Sequence, residues 1–173
     1  MTLTITKRDG TKVPFNADRI NKSIERACYG LRDPISKVIQ IGTETRLTLY
    51  DGITTEEMDA ATINAALQNA QYSREFDKIA TRLLLKGIYK KVIGDYDHDE
   101  SKDISKEEFE KLHSSHFKTF VLDAIERKLL DQRMGTLFDL DTLASHLKIG
   151  NDELYKYSGL STMQNRYLMK DEK

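Results

Sequence analysis

Cysteine is nearly absent from this chain. Cys28 stands alone, which excludes an internal disulfide, dithiol chemistry and a cysteine-anchored four-ligand zinc site. It falls on the apolar stripe of the first predicted helix and reads as a small buried side chain rather than a reactive thiol. An excess of either charge is also missing: 27 Lys and Arg stand against 28 Asp and Glu, so there is no basic field to draw nucleic acid. Long hydrophobic runs are lacking, and the mean hydropathy is −0.56. No segment approaches the length of a membrane span, and MTLTITKRDG lacks the apolar core of a signal peptide. A cytosolic protein without a membrane partner is expected. There is no internal repeat, no low-complexity tract, and no Walker A, GxGxxG or GxSxG motif. The histidines His98, His113, His116 and His146 are scattered; only His113 and His116 share a helix face, with no carboxylate or cysteine placed to complete a metal site.

What is present begins with Lys7 to Ile20, KRDGTKVPFNADRI. Asp9-Gly10 separates two β-prone runs, Leu3–Thr6 and Thr11–Phe15, and predicts a hairpin with a two-residue type I′ turn. Asn16 then caps a helix whose N–H groups and positive dipole end suit an anion, with Lys7, Arg8 and Arg19 close in sequence. Taken alone, KRDG reads as an exposed, solvated charged turn, and the anion reading needs further motifs beside it.

Helix periodicity continues through the next eighty residues. Ile20, Ile24, Ala27, Cys28 and Leu31 mark a first helix from Ala17 to Tyr29, stopped at Gly30. Asp33-Pro34 opens a second that runs toward Leu47. Thr54 and Glu57 form a capping box for a third, Thr55 to Gln71. A fourth runs from near Ser73 to Gly94, with its stripe on Phe76, Ile79, Ala80, Leu83, Leu84, Ile88 and Val92. The fold class is therefore mainly α, a four-helix bundle capped by a small β-hairpin sheet over residues 1–94, followed by a second helical segment. DYDHDESKD supplies an acidic linker, 95–104, and helical patterning resumes over 105–173. There Phe109 to Leu130 give one or two helices, Leu137 to Leu147 another, and Ser161 to Met169 the last. Tyr155, Tyr157, Leu160, Met163, Tyr167 and Leu168 make an apolar surface that calls for a partner.

Asp97, Asp99, Ser101, Asp103, Ser105 and Glu108 match the ligand spacing of an EF-hand loop. Lys102 occupies the position where that loop needs glycine, and there is no second loop to pair with. An acidic linker preceding a helix that starts at Ser105, with Glu107 and Glu108 in its first turn, accounts for the same residues.

The succession KRDG, PFNADRI, YDGITTEEMD and a fourth helix ending in YKK resembles an ATP-cone, the nucleotide-binding regulatory module at the N-terminus of many ribonucleotide reductase large subunits. DISKEEFEKL and NDELYKYSGLSTMQNRYLMKD resemble the helical segment that leads from the cone into the catalytic barrel of class I enzymes. The resemblance implies a chain that carries no catalytic cysteine and turns over nothing by itself, being a cut or naturally split part of the subunit. It implies ATP or dATP as allosteric effector, with Mg2+. Its partners would be the remaining catalytic part of the large subunit and the radical-generating small subunit. By position, Lys7 and Arg8 on the first strand would face the phosphates. Asn16, Ala17, Asp18, Arg19 and Ile20 would lie over base and triphosphate, Thr55 and Asp59 near base and sugar, and Lys90 or Lys91 would reach the phosphates from the fourth helix. Val13 stands where some members carry a glutamate facing the adenine, and Asp59 where some carry a histidine, so both bear on nucleotide preference. Two rivals follow. The cone could be degenerate and act only in docking through Tyr155 to Met169. Cone-containing repressors of reductase genes carry a four-cysteine zinc ribbon before the cone, which one cysteine and six residues ahead of Lys7 do not allow.

Overall fold

The computed structural model describes residues 3–94 and 104–168. These divide into two compact units, Met1–Gly87 with Tyr155–Lys173, and Ile88–Leu154. The sequence pattern predicts a first domain over 1–94, an acidic linker over 95–104 and a helical segment over 105–173.

In the first unit, β1 (Thr4–Thr6) is the central strand of a three-stranded sheet ordered β2-β1-β3. β2 (Lys12–Pro14) pairs with it antiparallel, Thr4 opposite Pro14 and Thr6 opposite Lys12. β3 (Ile53–Thr54) pairs with it in parallel, Ile5 beside Ile53 and Thr6 beside Thr54. The hairpin turn differs from the type I′ turn expected. Lys7 N–H donates to Thr11 O at 2.8 Å and Gly10 N–H to Lys7 O at 2.9 Å, and only Gly10 takes a positive φ, 81°. The loop is thus a turn closed by one left-handed glycine, a three-residue connection. Asp9 drives this: its Oδ1 accepts from the Thr11 N–H at 2.9 Å and the Thr11 hydroxyl at 2.6 Å, which fixes the residue without φ inversion.

Four helices follow the sheet. Asn16 caps α1 (Ala17–Ala27), Asp33 in left-handed conformation caps α2 (Pro34–Leu47), and Thr54 and Glu57 form the expected capping box of α3 (Thr55–Gln68). α4 spans Arg74–Val92, and the division between the units falls within it, after Gly87. α3 ends earlier than the periodicity predicts. Asn69, buried, turns its amide back to Ala65 O at 2.9 Å and to Glu44 Oε2 at 2.6 Å while accepting from Gln40, so a polar side chain stops the helix and ties it to α2.

Ile24, Ile41 and Ile79 from three helices are fully buried in one core, with Cys28 beside them. Burial raises the Cys28 thiol to about 11, which keeps it protonated and inert. α1 and α2 approach closely at Gly42, where a Cβ would stand 2.9 Å from Asn21 Oδ1. Among the described residues Lys37 is the one charged side chain in the buried set; it donates to Arg32 O and meets Glu75 Oε2 at 2.8 Å. Such a pairing is what lets an ammonium stay charged away from water.

α8 (Tyr157–Thr162) also belongs to the first unit, and a π-helical turn, Met163–Tyr167, continues it. The predicted helix over Ser161 to Met169 therefore begins four residues earlier. Of the apolar set expected to seek a partner, Leu160 is buried and Tyr157 packs against the core, whereas Tyr155, Met163, Tyr167 and Leu168 are exposed.

In the second unit, α5 (Lys106–Glu126) is one helix, opened by a capping box of Ser105 and Glu108 and closed just before Lys128 at φ 61°. The helix expected over Leu137 to Leu147 is two, α6 (Met134–Leu137) and α7 (Leu140–Ser145). Asp139 separates them by accepting from Asp141 N–H and Thr142 N–H, both at 3.1 Å, which starts a new helix where the stripe alone suggested continuity. A 3-10 stretch, Ile149–Leu154, completes the unit. No helix among the described residues is long and apolar enough to cross a membrane.

Candidate functional site

The sheet register decides which charged residues meet. β1 and β3 run the same way, with Thr6 beside Thr54, so Lys7-Arg8 and Thr55-Glu56 leave the same edge of the sheet side by side. Arg8 Nε lies 4.0 Å from Glu56 Oε1. Lys7 and Arg8 are exposed and sit in the turn beyond β1, not on the strand. Thr55, half-buried, is the first residue of α3, and Asp59 is exposed one turn further along. Two cations therefore stand next to the N-terminus of a fourteen-residue helix, where the dipole adds to their field.

The start of α1 lies at the other end of the hairpin. Pro14 pairs with Thr4, and Phe15 N–H donates to Leu3 O at 2.9 Å, which puts Asn16 past the open end, four residues beyond Lys12 or about 13 Å along an extended chain from the Thr6–Lys12 pair. Closeness in sequence did not carry over, because the chain reverses at the turn. Asn16 Oδ1 accepts from the Asp18 N–H at 2.8 Å. Ala17 is half-buried, and Asp18 and Arg19 are exposed. Ile20 is 4% exposed and belongs to the core cluster, so its side chain is committed to packing. Val13 is half-buried on β2, opposite Ile5.

The corner between β1, β3 and α3 is held by the capping box read from the sequence and by bonds of Tyr50, Asp51 and Gly52 that the sequence did not reveal. Asp51 Oδ1 accepts from the Thr4 N–H at 2.8 Å and the Thr4 hydroxyl at 2.7 Å, and Gly52 N–H donates to Thr4 O at 2.9 Å. These bonds lower the Asp51 carboxyl below the usual range. Glu57 accepts from the Thr54 N–H at 2.9 Å, the Thr54 hydroxyl at 2.8 Å and the Tyr50 hydroxyl, and is lowered likewise. The legible signal was the YDGITTEE string; what it could not give is the strand partner forty-seven residues earlier.

Along α4, cations recur every four residues as Arg82, Lys86 and Lys90. Arg82 Nη1 donates to Ala27 O at 2.8 Å and Tyr29 O at 2.7 Å, satisfying carbonyls at the end of α1, and Lys86 Nζ donates to Ser23 Oγ at 2.8 Å. Lys90, half-buried, and Lys91, exposed, occupy the last turn of α4, within the second unit.

In that unit Tyr89 donates to Asp152 Oδ2 at 2.6 Å and its ring meets Phe109 and His113 edge-on. His113 Nδ1 is buried without a hydrogen-bond partner, and burial pushes its pKa down. The EF-hand-like residues Asp97, Asp99, Ser101 and Asp103 lie outside the described residues. Glu108 receives the Ser105 N–H at 3.0 Å and hydroxyl at 2.8 Å, so it serves the α5 cap. Among the described residues no cluster of His, Cys, Asp and Glu could hold a metal ion.

Residues 3–91 match the model of the ATP cone domain family. The chain is 28% identical over 167 residues to a ribonucleoside-diphosphate reductase subunit alpha of Chlamydia pneumoniae, covering 96% of this chain and 15% of that protein. It is 30% identical over 170 residues to the corresponding subunit of Helicobacter pylori, covering 98% and 19%, and 26% identical over 168 residues to the large subunit of Danio rerio, covering 96% and 20%. The chain thus spans a fifth or less of the length of these curated relatives. With the cone matched over more than half of its 173 residues, the chain belongs to the ATP cone domain family.

Proposed function

We propose that this chain is a nucleotide-binding regulatory region of a ribonucleoside-diphosphate reductase large subunit, taking ATP or dATP with Mg2+ to set overall activity in deoxyribonucleotide synthesis. The observation that carries the reading is the parallel register of β1 and β3 within a matched cone, which sets Lys7 and Arg8 beside the start of α3. A donor set of two cations and a helix N-terminus fits a polyanion. In this reading Lys7 and Arg8 take the triphosphate, joined by Lys90 or Lys91. The backbone of Asn16 to Ile20, Val13, Thr55 and Asp59 serve base, sugar and phosphate. Magnesium neutralises part of the phosphate charge. The catalytic remainder of the subunit and the small subunit are the partners whose assembly responds. ATP and dATP differ by one hydroxyl, so opposite outcomes require only that the two assemblies bind them with unequal affinity.

Titration calorimetry of the 173-residue chain with MgATP and MgdATP should give saturable binding and no turnover. Lys7→Ala combined with Lys90→Ala should weaken ATP binding at least about tenfold, as expected for losing charge-assisted bonds, and leave adenosine little changed. A folded sample that binds neither nucleotide would overturn the reading, and equal losses for ATP and adenosine would remove the phosphate role.

A further inference from the structure

We infer that Glu56 is a built-in competitor for the nucleotide: its carboxylate lies against Arg8, and an incoming triphosphate must displace it. The inference rests on the nucleotide-binding reading above and adds to it a residue that restrains affinity.

The register makes the pairing. Thr6 and Thr54 are neighbours on parallel strands, and Arg8 and Glu56 each come two residues later, one in the hairpin turn and one in the first turn of α3. Both turns are fixed by other bonds. Asp9 is held on Thr11 at 2.6 Å and 2.9 Å, and the start of α3 by the Glu57 N–H donating to the Thr54 hydroxyl at 3.2 Å. Glu57, the neighbouring carboxylate, is engaged by Thr54 and Tyr50. Glu56 is thus the first-turn acid of α3 that faces the hairpin cation, 4.0 Å from Arg8 Nε. With side chains 46% and 59% exposed, the pair contributes little to stability, and little is lost when it opens. Its effect on a ligand is larger than its effect on the fold, because a triphosphate carries several negative charges and each is repelled by Glu56 while competing with it for the same guanidinium. A carboxylate at a helix N-terminus satisfies the dipole, so the same residue that favours the start of α3 opposes the ligand.

The experiment compares MgATP, MgdATP and adenosine binding to the full chain and to Glu56→Gln by calorimetry, at low and high salt. Glu107→Gln, which removes an exposed acid from the first turn of α5, serves as the charge control. The expected result is a gain of about three- to tenfold in affinity for both nucleotides in Glu56→Gln, shrinking as salt rises, with adenosine unchanged and Glu107→Gln like the parent. If the parent chain binds no nucleotide, the underlying reading fails. If the parent binds and Glu56→Gln shows no gain, a loss, or an equal gain for adenosine, this inference alone is overturned.

Discussion

Two helices of this protein begin with the same device in different settings. Thr54 and Glu57 open α3, and Ser105 and Glu108 open α5, with matching bonds: backbone N–H to carboxylate at 2.9 and 3.0 Å, hydroxyl to carboxylate at 2.8 Å in both, and the returning N–H at 3.2 Å in both. Only the α3 box is also the end of a strand, paired through Ile53 and Thr54 to β1 and braced by Tyr50. A capping box fixes where a helix starts. It takes the strand register to bring a second element, here Lys7 and Arg8, to that start.

The comparison breaks most visibly at the strand. Ile53 is 2% exposed, and Ile53→Ala should cost about 2–5 kcal/mol in urea unfolding, while weakening MgATP binding because α3 would then begin as α5 does, without the sheet. Unchanged nucleotide binding in a destabilised Ile53→Ala would separate the site from the register. The caps come next. Thr54→Ala and Ser105→Ala should each lose about 1 kcal/mol, but only Thr54→Ala should reduce nucleotide affinity; parity between them would show that the α3 start has no special role. A smaller loss is expected from Tyr50→Phe, which removes the hydroxyl bonded to Glu57 and has no counterpart at α5. Differential scanning against the parent at neutral pH measures it. The smallest effect is an acid one. The Thr54 N–H, the Thr54 hydroxyl and Tyr50 hold the Glu57 pKa low in the fold. Its contribution is therefore complete above the ordinary glutamate value, about 4.3, and disappears as pH falls through the lowered folded value. Parent and Glu57→Gln should differ in stability at pH 6 and converge toward pH 2; a gap that persists at pH 2 would assign the effect to packing.

How much of this was readable in the sequence follows the range of the bonds involved. Asn16, Asp33-Pro34, Thr54/Glu57 and Ser105/Glu108 mark helix starts through contacts two or three residues long, and each was legible. Cys28 was legible as core from its place on the α1 stripe. β3 was not, because two residues carry no periodicity and their partner is β1, far back in the chain. The early end of α3 was hidden for a similar reason: Asn69 finds Gln40 and Glu44 on α2. The break between α6 and α7 was local and could have been read from Asp139 followed by Thr142; the apolar stripe outweighed it. Of the site, the cations and the α3 start were visible as separate motifs. Their meeting, the displacement of Asn16 to the other end of the hairpin, and the opposing Glu56 became visible only with the register.

The parallel pairing of β1 with β3 also has a temporal meaning. Thr4 and Asp51 are forty-seven positions apart, and the loop between them must close before their bonds can form. During synthesis the hairpin emerges before β3, yet Arg8 has no Glu56 beside it until β3 and the start of α3 have followed. On the proposed reading, the residues that would touch a ligand's phosphates are therefore made before the site they would belong to, and a nascent chain halted before Ile53 would carry the cations without it.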